Sequence, residues 1–347
     1  MSYLHCNPTA LRDVLALRIL CRTGPAKVLQ MYMDSRNNRE DGYLNAPSGI
    51  RGFDASNVYR STTYLPVYHL ISHAKENSAL QLISNGFKAL IFAHMLQEES
   101  TFFKEMDLEG QNVDPNIMRE YVAFLILHHL ENIPPNVITI SKLDSTLNCA
   151  CEDGTGKLIH GYAGDYNTVP YAMGMFSLLS LMNHSCDPNA IPLRHPYDLT
   201  VGLLAGKKIK AGQEITASYR PLFPLQNTQE RRAFLQEKYN FWCTCIACVS
   251  DWNPETVANY KNNNNNNELN VDGKLLENED LKMEDFQRDL NEATSLMESG
   301  DFLQSLELVY KVINCITPIY SSIHPLCIQS QDLLKSVLVG IVNSHEQ

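Results

Sequence analysis

Positive charge is what this 347-residue chain has least of: 28 Lys and Arg stand against 39 Asp and Glu, a formal net charge of −11. That balance argues against broad, sequence-independent nucleic-acid binding, which needs a basic face to displace counterions. A basic protein partner suits it better. Long hydrophobic runs are also missing. The longest greasy stretches, such as Tyr121–Leu130, fall short of the roughly 20 residues a membrane-crossing helix needs, so no membrane anchor is expected. The start, Met1-Ser-Tyr-Leu-His-Cys6, has no basic-then-apolar pattern, and a secretory leader is not expected. No convincing basic cluster directs the chain to one compartment, leaving cytoplasm and/or nucleus. Nothing in the composition bears on oligomeric state.

What is present is enough apolar residues for an ordinary core, at 44%. The length predicts two or three domains. The first 130 residues read mainly as helices. Ala10–Leu20 places Leu11, Val14, Leu15 and Ile19 at near-helical spacing, and the Gly24-Pro25 pair stops it. A polar stretch from Asp34 to Asn57 reads as a loop. Tyr64–Ser72, Ser78–Leu96 and Asn116–Leu130 again carry apolar residues three and four apart, and Pro134-Pro135 is expected to end the last of these.

From Val137 the pattern changes. Val137–Ile140, Gly174–Leu181, Leu199–Leu204 and Glu214–Tyr219 are short runs bounded by turn residues. They read as strands of a small irregular β domain, although Met175–Leu181 could equally begin as a helical turn. Thr228–Tyr239 is a charged amphipathic helix with Thr228 as its expected N-cap; Arg231 stands where a capping box wants an acid. The Asn262–Asn267 run and the acidic residues to Asp280 are low-complexity and cannot build a core. Beyond them, Met283–Glu298, Phe302–Ile316 and Pro325–Val342 read as antiparallel helices around a Gly300-Asp301 turn, similar to a tetratricopeptide-like (TPR-like) pair.

Ten cysteines without a leader point to metal and a reducing compartment rather than to disulfides. Cys243, Cys245 and Cys248 form a tight CxCxxC cluster, one thiol short of a tetrahedral zinc site. The best candidate for the fourth is Cys186. The bland alternative is three buried free thiols. Cys149 and Cys151 form a competing pair in a polar stretch; Cys6, Cys21, Cys315 and Cys327 read as structural thiols. Read alone, Asn183-His184-Ser185 before Asp187-Pro188 is a turn, and Tyr219 is a core or rim residue at a strand end.

The order Asn183-His-Ser-Cys186, then Glu214-Ile-Thr-Ala-Ser-Tyr219, then Cys243-Thr-Cys-Ile-Ala-Cys248 resembles the SET-domain lysine methyltransferases. The closer resemblance is to the SET-and-MYND (SMYD) subfamily with helical repeats. It is carried also by Leu125-Ile-Leu-His-His-Leu-Glu-Asn-Ile-Pro-Pro-Asn-Val-Ile138, Gly174–Asn189 and Arg231–Cys248. Strong motif matches run over about residues 120–250. The resemblance implies an α+β fold: a SET-type irregular β domain with a post-SET zinc site, an N-terminal helical insertion and C-terminal TPR-like helices. It implies a helical region at 1–136, the SET core and zinc segment at 137–250, a linker at 251–280 and TPR-like helices at 281–347.

The implied activity is S-adenosylmethionine-dependent protein-lysine methylation of a histone or non-histone substrate with a Lys-containing segment. The implied cofactor contacts are Asn136, Asn183, His184 and Phe241. Tyr219 takes the place of the tyrosine at the methyl-transfer channel, and Cys186, Cys243, Cys245 and Cys248 that of the zinc ligands. The chain departs from the family in two ways. The opening strand with its Gly-x-Gly turn is not found, and only Tyr3-Leu-His-Cys6 resembles the end of a MYND finger, so the sequence reads as starting just after that finger. The missing strand favours an alternative, a non-catalytic zinc-stabilised protein-binding module. The retained Asn183, His184, Tyr219 and Phe241 favour the enzyme.

Overall fold

The computed structural model describes residues 8–37, 52–54, 56–143, 168–194, 200–220, 222–262 and 283–344. Cys6, Cys149, Cys151, the 38–51 part of the polar loop and most of the Asn-rich stretch lie outside the described residues. The chain divides into two compact units, Met1–Thr139 with Met173–Leu181, and Ile140–Ala172 with Met182–Gln347.

In the first unit the described helices are α1 (Pro8–Thr23), α2 (Pro25–Arg36), α3 (Tyr64–Tyr68), α4 (Ala79–Glu99) and α5 (Pro115–Asn136). Gly24, at φ 86°, makes the break between α1 and α2 that the Gly-Pro pair foretold, and Pro25 starts α2 where its missing N–H costs nothing. Helix α5 is apolar around most of its circumference, with Met118, Val122, Leu125, Ile126, Leu130 and Ile133 buried. A helix of that kind belongs in a core, and α1, α2 and α4 pack around it. Asp114 caps it by accepting from the Asn116 N–H at 2.8 Å.

Pro134-Pro135 do not end α5; the helix continues to Asn136. The side chain of Asn136 donates to the Asn132 carbonyl at 2.7 Å within the last turn, and to the Ile71 carbonyl at 2.7 Å. His128, Asn132 and Asn136 thus form a ladder along α5. His128 and Asn132 take the Tyr68 and Val67 carbonyls at 2.7 and 3.0 Å, tying down the end of α3 and the segment after it.

Helix α4 turns its small residues inward. Asn85, Ala89 and Ala93 are buried, whereas Leu80, Ile83, Phe87, Leu90 and Ile91 are exposed. By length and composition α4 is long and apolar enough to cross a membrane, unlike the shorter runs singled out in the sequence. Its Lys88 is paired with Asp13 at 2.8 Å.

The buried face of α5 also holds an uncharged histidine. His129 lies between Tyr64 and Asn132: its Nε2 accepts from the Tyr64 hydroxyl at 2.7 Å and its Nδ1 donates to Asn132 Oδ1 at 3.2 Å. Burial, aided by neighbouring His128, pushes its pKa down to about 3. The unfolded chain takes up this proton below about pH 6.5, while the folded chain does not until near pH 3. Folding stability therefore falls with acidity across that window, by about 1.4 kcal/mol per pH unit. Denaturant titrations at pH 7 and pH 4.5 are expected to show the native chain losing roughly 2–3 kcal/mol more than His129→Gln. Equal losses would mean that His129 is not held neutral.

The second unit contains the strands. β1 (Val137–Leu143) pairs with β2 (Thr168–Met175), and the division between the units falls within both strands. β3 (Asn183–His184), β4 (Ala190–Arg194), β5 (Val201–Ala205) and β6 (Thr216–Ala217) follow. β4 and β5 form an antiparallel hairpin, Ala190 opposite Ala205 and Arg194 opposite Val201. β3 and β6 pair in parallel, Asn183 opposite Thr216 and His184 opposite Ala217.

Two expected strands shrink. Of Gly174–Leu181 only the first two residues are extended; Leu179–Leu181 is a 3-10 turn, with the Ser180 N–H on the Phe176 carbonyl. Of Glu214–Tyr219 only Thr216–Ala217 is strand, because the Asn189 side chain substitutes for a neighbouring strand. It donates to the Glu214 carbonyl at 2.8 Å and accepts from the Thr216 N–H at 2.9 Å.

Helix α6 (Thr228–Tyr239) is capped by Asn227, not Thr228. Asn227 and Glu230 form a complete capping box, so the register expected from the sequence was one residue late. α7 (Ile246–Val249) and α8 (Pro254–Asn262) follow. The last three helices are α9 (Met283–Glu298), α10 (Phe302–Ile316) and α11 (Pro325–Ser344), as the apolar spacing predicts. They share one core with Ile191, Leu193 and Leu204 of the β4–β5 hairpin. Ser305, fully buried, donates to the Ala293 carbonyl at 2.7 Å where α10 crosses α9.

Candidate metal centre and aromatic site

The parallel β3–β6 pair presents Asn183 and His184 one turn before Cys186. The turn is held by the Ser185 N–H on the Ala217 carbonyl at 3.1 Å and by the Phe223 N–H on the Cys186 carbonyl at 3.2 Å. The CxCxxC segment arrives from the other side, after the left-handed Asn240 that ends α6. The sulfurs of Cys186, Cys243, Cys245 and Cys248 all lie within 4.8 Å of one another. Cys186 and Cys248 Sγ are 3.6 Å apart. That is near the roughly 3.8 Å expected between thiolates at 2.3 Å from a tetrahedral zinc, and far beyond a disulfide bond. The four soft donors therefore fit zinc. The Cys245 thiol is held well below the usual thiol range, first by its contact with Cys186 and then by those with Cys243 and Cys248. Cys186, buried and facing the same three sulfurs, is pushed up instead.

Beside the sulfurs lies an aromatic group. His184 and Tyr219 have ring centroids 5.3 Å apart, Tyr219 and Tyr239 4.8 Å, and Phe241 lies 6.1 Å from His184 and 6.3 Å from Tyr219. His184 accepts the Tyr219 N–H on Nδ1 at 3.0 Å, so Nε2 carries the proton and points at Cys186 Sγ, 3.3 Å away. Burial pushes its pKa down to about 4, and the ring stays neutral. With both nitrogens engaged, His184 has its ring face and backbone left to offer a ligand. The Tyr219 hydroxyl donates to the Met182 carbonyl at 2.6 Å. Burial, with Tyr239 and Glu214 nearby, pushes its pKa up to about 12. Asn183 is exposed and donates to Glu214 Oε1 at 2.6 Å.

Four sequence-derived residues, His184, Tyr219, Phe241 and Cys186, thus converge with the CxCxxC thiols and Asn183. Asn136 sits in the first unit, in the α5 ladder. The sequence reading passed over Tyr239, two residues before Phe241 in the same Tyr-Asn-Phe-Trp-Cys run, and Glu214. It placed Arg231 only as a failed cap.

Residues 32–220 match the SET domain family, more than half of the chain. The chain belongs to that family, in its SMYD branch. The SMYD-type relatives include a zebrafish (Danio rerio) protein-lysine N-methyltransferase SMYD4, 23% identical over 68% of this chain and 34% of its own length. The Pongo abelii SMYD4 is 36% identical over 58% of this chain and 24% of its own. A Mus musculus histone-lysine N-methyltransferase SMYD3 is 42% identical over 22% of this chain and 17% of its own. The chain therefore matches about a third or less of the length of these SMYD-type relatives.

Proposed function

We propose that the chain is an S-adenosylmethionine-dependent protein-lysine N-methyltransferase whose post-SET segment is closed by zinc. The observation that carries this is the half-buried Tyr219 phenol, set among His184, Tyr239 and Phe241 beside a four-thiol cluster. The donor, when bound, supplies a methyl group on a sulfonium. Its transfer would be an in-line displacement by a neutral lysine amine, which would then give up a proton to solvent. Alignment dominates such a displacement. The Tyr219 oxygen, whose own proton is held by the Met182 carbonyl, can accept an N–H of the amine and orient its lone pair. The aromatic faces favour a cationic ligand, and a water-poor lining lowers the amine's pKa. Within the second unit, Asn183, Phe241 and the His184 backbone and ring are assigned to the donor. Cys186, Cys243, Cys245 and Cys248 would hold the zinc, which cross-links the segment carrying Tyr239 and Phe241 to β3. Keeping four thiols unoxidised belongs with a reducing cytoplasm or nucleus. Helices α9–α11 are proposed as the TPR-like surface for a protein partner.

Calorimetry with S-adenosylmethionine and its demethylated product tests the reading. Saturable binding of both, at micromolar to submillimolar concentration, is the expected result. Absence of heat with either, in protein that retains zinc, would leave the zinc-stabilised binding module.

A further inference from the structure

Arg231 on α6 is fully buried, and among the described residues no carboxylate pairs with it. Its Nη1 donates to the Gln226 and Trp252 carbonyls at 2.5 and 2.8 Å. Its Nη2 donates to Thr228 Oγ1 at 3.0 Å, to the Ala247 carbonyl at 3.1 Å and to Cys248 Sγ at 3.6 Å. Nε has no hydrogen-bond partner. A guanidinium is always charged. Carbonyls and a hydroxyl satisfy its protons but do not cancel its charge, and a buried cation without a counter-charge is strongly disfavoured. Among the described residues, the group in contact with it that can carry negative charge is the Cys248 sulfur. Neighbouring Arg232 is different: it takes the outer Cys243 and Cys248 carbonyls at 3.1 and 3.3 Å and lies over the exposed Trp242 ring.

We propose that Arg231 is the built-in counter-cation of the thiolate centre. This rests on the zinc reading above. Four thiolates around a dication leave a net charge of −2, which a buried site cannot hand to water; Arg231 offsets one unit of it and orients Cys248 as an anionic ligand. The dependence is mutual, since the surplus charge of the metal centre is also what allows Arg231 to be buried. Arg231 is thus a positioning residue for the metal and touches no substrate.

The test compares Arg231→Gln, Arg231→Lys and, as a surface control, Lys238→Gln by competition with a chromogenic zinc chelator, and by the sulfur-to-metal charge-transfer band after cobalt(II) substitution. Arg231→Gln is expected to weaken zinc binding by about 10- to 100-fold, the range for supporting residues of metal sites, and to shift the cobalt band. Arg231→Lys, which keeps the charge but loses the forked hydrogen bonds, is expected to recover most of the affinity. Lys238→Gln, on the same helix but exposed and paired with Glu237 at the surface, is expected to stay within about threefold of the native chain. Native-like affinity and an unshifted band in Arg231→Gln would overturn the proposal. Where Arg231→Gln does not fold, Arg231→Lys decides: a folded variant binding zinc as much as a hundredfold more weakly shows that packing, not charge, is what matters. A native chain that binds neither metal overturns the zinc reading itself, a result distinct from either of these.

Discussion

Cys186→Ser is expected to leave the purified chain with less than a tenth of an equivalent of zinc, against close to one in the native protein, and to lower its melting temperature by roughly 10 °C. The reason is the separation of the ligands. Cys186 and Cys248 are 62 residues apart in the chain and 3.6 Å apart in space. Cross-linking a loop of that size removes about 4 kcal/mol of chain entropy from the unfolded state. For a unit of about 200 residues, each kcal/mol moves the midpoint by some 2–4 °C. Losing one of four thiolates also leaves the others crowded without the charge that holds them. Metal analysis after gentle purification and calorimetric melting with and without chelator measure both effects. The chelated native protein should melt where Cys186→Ser does. A variant that retains full zinc would remove Cys186 from the ligand set, and with it the closure that brings Phe241 beside His184.

Tyr219→Phe is expected to slow methyl transfer by about 10²–10³-fold, the order of cost of removing one oriented hydrogen-bonding group from a reacting centre. Cofactor affinity should change by less than about threefold. The ring that packs between His184, Tyr239 and Phe241 is preserved, and only the hydroxyl on the Met182 carbonyl is lost. Because the phenol titrates only near 12, it stays protonated, donates to the Met182 carbonyl and does not act as a base. The native pH–rate profile should therefore show no ionisation of Tyr219 below about pH 10. Single-turnover rates with a lysine peptide, beside calorimetric affinities, separate the two quantities. Matching rates in the two proteins would exclude Tyr219 from the mechanism.

Much of this was legible in the residues, and the failures have physical causes. The spacing of Leu290, Val309, Ile313 and Leu334 is enough to outline α9 to α11, since each needs one apolar side to bury. The shortening of β6 was not legible. It follows from Asn189 reaching across to Glu214 and Thr216, a contact between segments about 25 residues apart that no local propensity encodes. The α6 cap was missed because Asn227 and Thr228 are both good caps and only the reciprocal bond to Glu230 separates them. Pro134-Pro135 read as a stop because an isolated helix would lose two backbone bonds there. In the fold, the Asn136 side chain instead anchors the last turn by donating to the Ile71 and Asn132 carbonyls, and this tertiary contact holds the helix past the prolines.

Which residues have chemistry to offer can be read from their order in the chain: three thiols spaced for a soft metal, an Asn-His-Ser-Cys turn, a tyrosine after Glu-Ile, and an aromatic run leading into CxCxxC. Such spacing survives in one dimension because it reflects local geometry. Only the tertiary structure decided which of them meet. It brought Cys186 to the other thiols, engaged both nitrogens of His184, added Tyr239 to the ring cluster, and turned Arg231 from a misplaced cap into a buried charge beside Cys248. Burial and charge neutrality are properties of a three-dimensional surrounding, and a residue acquires them only from neighbours that the chain folds back to supply.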